Sequence, residues 1–388
     1  MKRIVSICLL LIAGGFLFAN EELELYSMLY KNARNTSERL GILNAVVEAG
    51  IPGSGAFYAD TLSTLLRNQS NLTTVTERYA ADESAIILCN KLGEEKYVDA
   101  ATTVWRTYEM YRNPFVKEAA LVALGRMKAV NLLPQVIKVL TDLNESPTSD
   151  PEASEKIAYG AIISLEKYQE SAGYIPVFFA SIGWYTERIK TQARNSLPII
   201  LEDPVVPLTE IINGSSYNIN AKYQALRTLE ASRASNSEKA SGALAAYTEG
   251  WRRTSPDTQT RLLMGNMRKL AIDMIQRYGT EDKAVYPLLE RSYKEGQDWE
   301  EKLGSVSTLA ALKSVESAQL LSQFMMIMNG KLQSHSLTQD DERMVRALIP
   351  ALGATGQGAA RSSLRTILSL DWTNAVKNLA NEALKQIP

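Results

Sequence analysis

Apolar positions along the chain recur at three- and four-residue spacing, the period of one face of an α-helix. In "PFVKEAALVALGRMK" (Pro114 to Lys128), Val116, Ala119, Ala120, Ala123, Leu124 and Met127 fall on one face. The pattern returns in Glu155 to Tyr168, Arg188 to Leu201, Ile219 to Ser232, Glu300 to Ser314, Glu342 to Thr355 and Val376 to Ile387. Strict alternation never persists for more than a few residues, so the pattern predicts an all-α chain. Asn113 before Pro114 supplies an N-cap and a first-turn proline.

A second pattern is interleaved with the first. "NLLPQVIKVL", "GYIPVFFASI", "PVVPLTEII" and "AVYPLLERSY" each place an apolar residue, a proline and a short amphipathic run in that order. The prolines are Pro134, Pro176, Pro207 and Pro287, separated by 42, 31 and 80 positions. Proline suits the first helical turn, where its missing N–H would have no partner. Each run therefore predicts the second helix of a pair. From Val116 to Pro134 and from Ile189 to Pro207 the offset is 18 positions. Alanine occupies the close-packing positions of the first helices (Ala119, Ala123, Ala193, Ala225, Ala310, Ala347, Ala351 and Ala380), where small residues let helices approach.

Paired helices with a period near 40, a proline opening the second helix, and Pro198 and Pro350 inside first helices resemble HEAT repeats. The resemblance covers roughly residues 38–388 and is clearest from residue 114 onward. It implies a single α-solenoid over residues 20–388, of about eight to nine HEAT-like helical pairs. Residues 40–112, 240–251 and 319–328 lack the proline, and Asn144 to Glu155 and Asn329 to Glu342 predict longer loops. In this frame "GATGQG" (Gly353 to Gly358) falls between the two helices of a pair. It predicts a turn rather than a phosphate cradle, since no Lys-Ser/Thr follows it and no strand precedes it.

Composition adds the compartment. Lys2 and Arg3 precede an uncharged apolar run, Ile4 to Phe18, and Ala19 offers a small residue before an acidic stretch. This is the form of a secretory signal peptide over residues 1–19, cut after Ala19. Cys8 lies inside the apolar run, too early for a lipid-modified cysteine, so Cys89 alone would remain in the mature chain. An exported chain of this length without disulfides points to a bacterial periplasm. A formal net charge of -1 over 388 residues gives no electrostatic footprint for nucleic acid.

Chemistry is sparse. His335 is the only histidine and lies in a polar stretch, and no metal site or cofactor is expected. The acidic pairs Glu94–Glu95, Glu300–Glu301 and Asp340–Asp341 sit at or beside helix starts, where carboxylates complement the helix dipole. Thr338 and Asp341 carry a capping-box spacing. "MMIM" (Met325 to Met328) reads as core filling rather than a soft-metal site. The best surface candidate is "AAYTEGWRR". Tyr247 and Trp251 share a helix face and Arg252 and Arg253 follow, residue types favoured at interaction hot spots. A second candidate is Arg361 with Arg365, four apart on a second helix. The HEAT resemblance implies that such helices line the concave, ligand-facing side.

The expected function is an exported, non-catalytic binding or scaffold protein that meets another cell-envelope protein and no nucleic acid. The competing expectations are a cell-wall-active enzyme using paired carboxylates and a protein that holds a lipid or apolar ligand. Membrane attachment is not required by the sequence.

Overall fold

A computed structural model describes residues 21–146, 149–252 and 254–388. The leader predicted for residues 1–19 lies outside the described residues. Among the described residues there are twenty α-helices and no strand, as the hydrophobic period predicts. The chain divides into two compact units, one up to Glu202 and one from Asp203.

In the first unit, α1 is helical over 21–32. It is followed by α2 (Thr36–Ala49), α3 (Gly55–Asn68), α4 (Val75–Glu94), α5 (Ala101–Met110), α6 (Pro114–Met127), α7 (Leu133–Glu145), α8 (Pro151–Tyr168), α9 (Tyr174–Ile182) and α10 (Glu187–Ile200). Helices two apart in the chain lie side by side: α2 on α4, α4 on α6, α6 on α8 and α8 on α10. The intervening helices pack beneath them, α3 beside α5 and α7 beside α9.

The second unit repeats the arrangement. It holds α11 (Val205–Asn213), α12 (Ile219–Ala231), α13 (Asn236–Arg252), α14 (Thr258–Tyr278), α15 (Val285–Glu295), α16 (Trp299–Leu312), α17 (Val315–Gln333), α18 (Gln339–Ala354), α19 (Arg361–Ser369) and α20 (Asn374–Lys385). One row runs α12, α14, α16, α18, α20 and the other α11, α13, α15, α17, α19.

Small residues set the spacing in the first rows. A Cβ on Gly125 would lie 2.5 Å from Ser164 Cα, and one on Gly353 would lie 2.8 Å from Ala383 Cα. Of the predicted close-packing alanines, Ala119, Ala123, Ala193, Ala225, Ala351 and Ala380 are buried, while Ala310 and Ala347 are half-buried. Pro134, Pro176, Pro207 and Pro287 all lie in the first turn of their helices, and Pro198 and Pro350 lie inside α10 and α18.

The turn inside a pair has a recurrent form. Lys96, Lys128, Gln169, Lys313 and Gly356 each take a left-handed φ between 50° and 65° after the first helix. "GATGQG" is thus the glycine version of a turn that lysine and glutamine make elsewhere. Two predicted loops are shorter than expected. The Asp150 side chain accepts from Ala153 N and starts α8 at Pro151, and a Thr338–Asp341 capping box starts α18 at Gln339. These caps extend helices into stretches whose polar composition suggested loop.

Candidate functional site

The "AAYTEGWRR" candidate ends α13, and the structure separates its members. Tyr247 is fully buried, so it offers no surface to a partner. Its hydroxyl reaches the Leu288 carbonyl oxygen at 2.9 Å and Ser292 Oγ at 2.7 Å. Burial pushes this phenol well up from its ordinary range, aided by the nearby Glu301 carboxylate and opposed by Ser292, Arg268 and Trp251. Trp251 is half-buried, with two guanidinium groups close to its rings. Arg268 Cζ lies 4.0 Å and Arg291 Cζ 4.3 Å from its ring centroids. The Trp251 indole nitrogen is buried beside the Tyr247 hydroxyl. Arg252 is exposed, 62% accessible, with Nη1 at 3.5 Å from Glu249 Oε2. Arg253 lies outside the described residues.

Beneath this stretch lies a buried ionic network. Arg268 Nε donates to Glu301 Oε1 at 2.6 Å and Nη2 to Oε2 at 2.9 Å. Glu301 also accepts from Ser292 Oγ and from the Gln297 backbone N–H, both at 2.9 Å. Arg268 Nη1 donates to the Gly250 carbonyl oxygen at 3.0 Å. A second buried pair, Lys222 Nζ to Glu249 Oε1 at 2.6 Å, joins α12 to α13. A carboxylate with this many donors is fully satisfied and fixes the helices around it. Lys222, Glu249, Arg268 and Arg291 do not stand out in the sequence as site residues. The available signal was a charge on an apolar stripe: Arg268 beside Met264, Met267 and Ala271, and Lys222 beside Ala221, Ala225 and Leu226.

The second candidate divides too. Arg361 is half-buried, and its Nη2 donates to the Ile387 carbonyl oxygen at 3.1 Å and to that of Pro388. It ties α19 to the chain's last residues. Arg365, one turn on, is exposed and has no ion pair among the described residues. The α13 and α19 candidates occupy different neighbourhoods, α13 on α11, α12 and α14, and α19 on α17 and α20.

The acidic pairs serve the fold. Glu94 and Glu95 lie at the C-terminal end of α4 rather than at a helix start as expected, and Glu94 holds Lys91 at 2.8 Å. Burial raises the neighbouring Glu95 carboxyl, against the lowering effect of Gly55 and Ser54 backbone hydrogen bonds and Lys91. Glu300 meets Lys269 at 3.2 Å, and Asp340 meets Arg343 at 3.5 Å. Burial pushes the Asp341 carboxyl up, but Lys331 at 2.6 Å and the Thr338 hydrogen bonds outweigh it and hold it below the usual aspartate range. Among the described residues no cluster of metal-ligating side chains is present, and no helix is long and apolar enough to cross a membrane. His335 is exposed in the turn after α17, with a left-handed φ of 54°. Cys89 is buried, which pushes its thiol up to about 12. In "MMIM", Met325 and Met328 are buried and Met326 is exposed, the split that helix geometry imposes on adjacent residues. Comparison with known proteins finds no family model and no curated relative that matches the chain.

Proposed function

We propose that this chain is an exported, non-catalytic binding or scaffold protein built as a HEAT-like α-solenoid. Its partner in this reading is another protein of the bacterial cell envelope. The observation that carries the reading is the use made of the carboxylates. An enzyme of the glycan- or peptide-cleaving kind needs two acidic groups facing a substrate with separated proton affinities. Here Glu301 is buried under four hydrogen bonds, Asp341 caps α18 while pairing with Lys331, and Glu94 pairs with Lys91. Stacked helical pairs supply extended surface at little cost in core, which suits partner binding. Among the described residues, Arg252 and Arg365 are the candidate contacts exposed to solvent. Export follows from the leader predicted for residues 1–19, with release to the periplasm after cleavage at Ala19.

The test is affinity capture from the native cell envelope with the tagged chain beside an Arg252→Glu, Arg365→Glu variant. The expected result is a protein held by the wild type, rebound after purification, and released by the variant while its helical signal is intact. Glycan fragments as the sole captured material, or cleavage of purified cell wall by the chain, would overturn the proposal.

A further inference from the structure

The first three helices frame a groove of about 300 Å³, distinct from the α13 and α19 candidates. Its apolar wall is the pair Tyr30 and Phe57, whose rings meet edge to face with centroids 6.3 Å apart. Four charged side chains line the same groove: Glu24 and Lys31 from α1, Arg39 from α2 and Asp60 from α3. Among the described residues these four make no ion pair with one another or with other groups. Elsewhere several exposed charges do meet an opposite charge one helical turn away, as Lys138 meets Asp142 and Arg291 meets Glu295.

Arg39 is the decisive residue. Its guanidinium lies 5.8 Å from the Tyr30 ring centroid, and its Nε–H is buried without a hydrogen-bond partner. A buried donor of a charged group that is left unmade is costly, so such groups are normally satisfied by protein, water or ligand. A carboxylate is the acceptor that matches a guanidinium edge in shape and charge. The groove also presents two carboxylates of its own, which disfavour a purely anionic ligand and favour one that brings a cation as well. Its volume falls at the small end of ligand sites.

We propose that this groove binds a free α-amino acid with an apolar side chain. The ligand carboxylate pairs with Arg39, its ammonium with Asp60 and Glu24, and its side chain lies on Tyr30 and Phe57. The inference does not rest on the scaffold reading.

Calorimetric titration of the purified full chain tests it. The probes are L-phenylalanine, L-leucine, and two phenylalanine analogues that each lack one charge, 3-phenylpropanoate and 2-phenylethylamine. The expected result is saturable binding of at least one amino acid. Each analogue binds about tenfold or more weakly than L-phenylalanine, and Arg39→Gln and Asp60→Asn each weaken amino-acid binding by a similar factor. Asp60 is exposed, so its variant reports on binding even where the Arg39 variant loses structure. The proposal is overturned by no binding of either amino acid up to about 10 mM. It is equally overturned by analogues that bind as well as L-phenylalanine, or by an Asp60→Asn chain that binds as the wild type does.

Discussion

Lys128 and Gln169 occupy the same place in successive helical pairs, and Lys128 Nζ donates to Gln169 Oε1 at 3.3 Å. Both follow a first helix with left-handed backbone, φ 53° and 58°. Non-glycine residues pay about 1–2 kcal/mol for that conformation. Replacing either with glycine removes the strain but adds freedom to the unfolded chain. Lys128→Gly and Gln169→Gly should each raise unfolding free energy by about 0.5–1 kcal/mol. Gly356→Ala, at the matching turn of α18 and α19, should lower it by about 1 kcal/mol. Urea titration of the three variants checks the signs.

The Arg268–Glu301 pair gives a larger effect. Both side chains are buried, so Arg268→Met strands a carboxylate that keeps only Ser292 and the Gln297 backbone N–H. The expected loss is about 3–5 kcal/mol. Lys269, on the same helix, pairs with the more exposed Asp298 and Glu300, and Lys269→Met should cost about 1 kcal/mol or less. Equal losses in denaturant titration would contradict the distinction between these two pairs.

The regular parts of this chain were legible because helix period, first-turn proline and cap residues all pointed the same way. Pro134, Pro176, Pro207 and Pro287 open helices as predicted. The turns at Lys96, Lys128, Gln169 and Lys313 were not legible, because left-handed backbone is signalled in sequence by glycine or asparagine and here is imposed by the packing of helices on either side. The candidate contacts fared unevenly for a related reason. Spacing puts Tyr247 and Trp251 on one helix face but does not say whether that face meets solvent. Arg268 and Arg291 come from other helices, and their closure over Trp251 is a tertiary event.

Asp341 supplies a pH dependence with a definite sign. Its carboxyl is held below its unfolded range despite burial, chiefly by Lys331 and the Thr338 hydrogen bonds. A depressed carboxyl contributes stability that is complete above the unfolded value of about 3.9. That contribution is lost as pH falls through the lower folded value. Asp341→Asn keeps a capping side chain without the charge. It should be less stable than the wild type at neutral pH, and the gap should close as the pH is lowered below about 4. Thermal melts across that range measure it.

Cys89 should behave as an inert core residue. Its thiol is buried and pushed up to about 12, so little thiolate exists at neutral pH. A thiol-reactive disulfide reagent should label it only as the chain unfolds, at a rate that rises with denaturant. Rapid labelling in native buffer would show the site to be accessible.

The most direct test of the binding reading is photocrosslinking in living cells from a photoreactive residue placed at Arg252 or Arg365. The account predicts a discrete protein adduct from at least one position, displaced when excess unmodified chain is expressed. Adducts only to glycan or lipid, or no adduct from either position in a chain shown to be folded and exported, would contradict it.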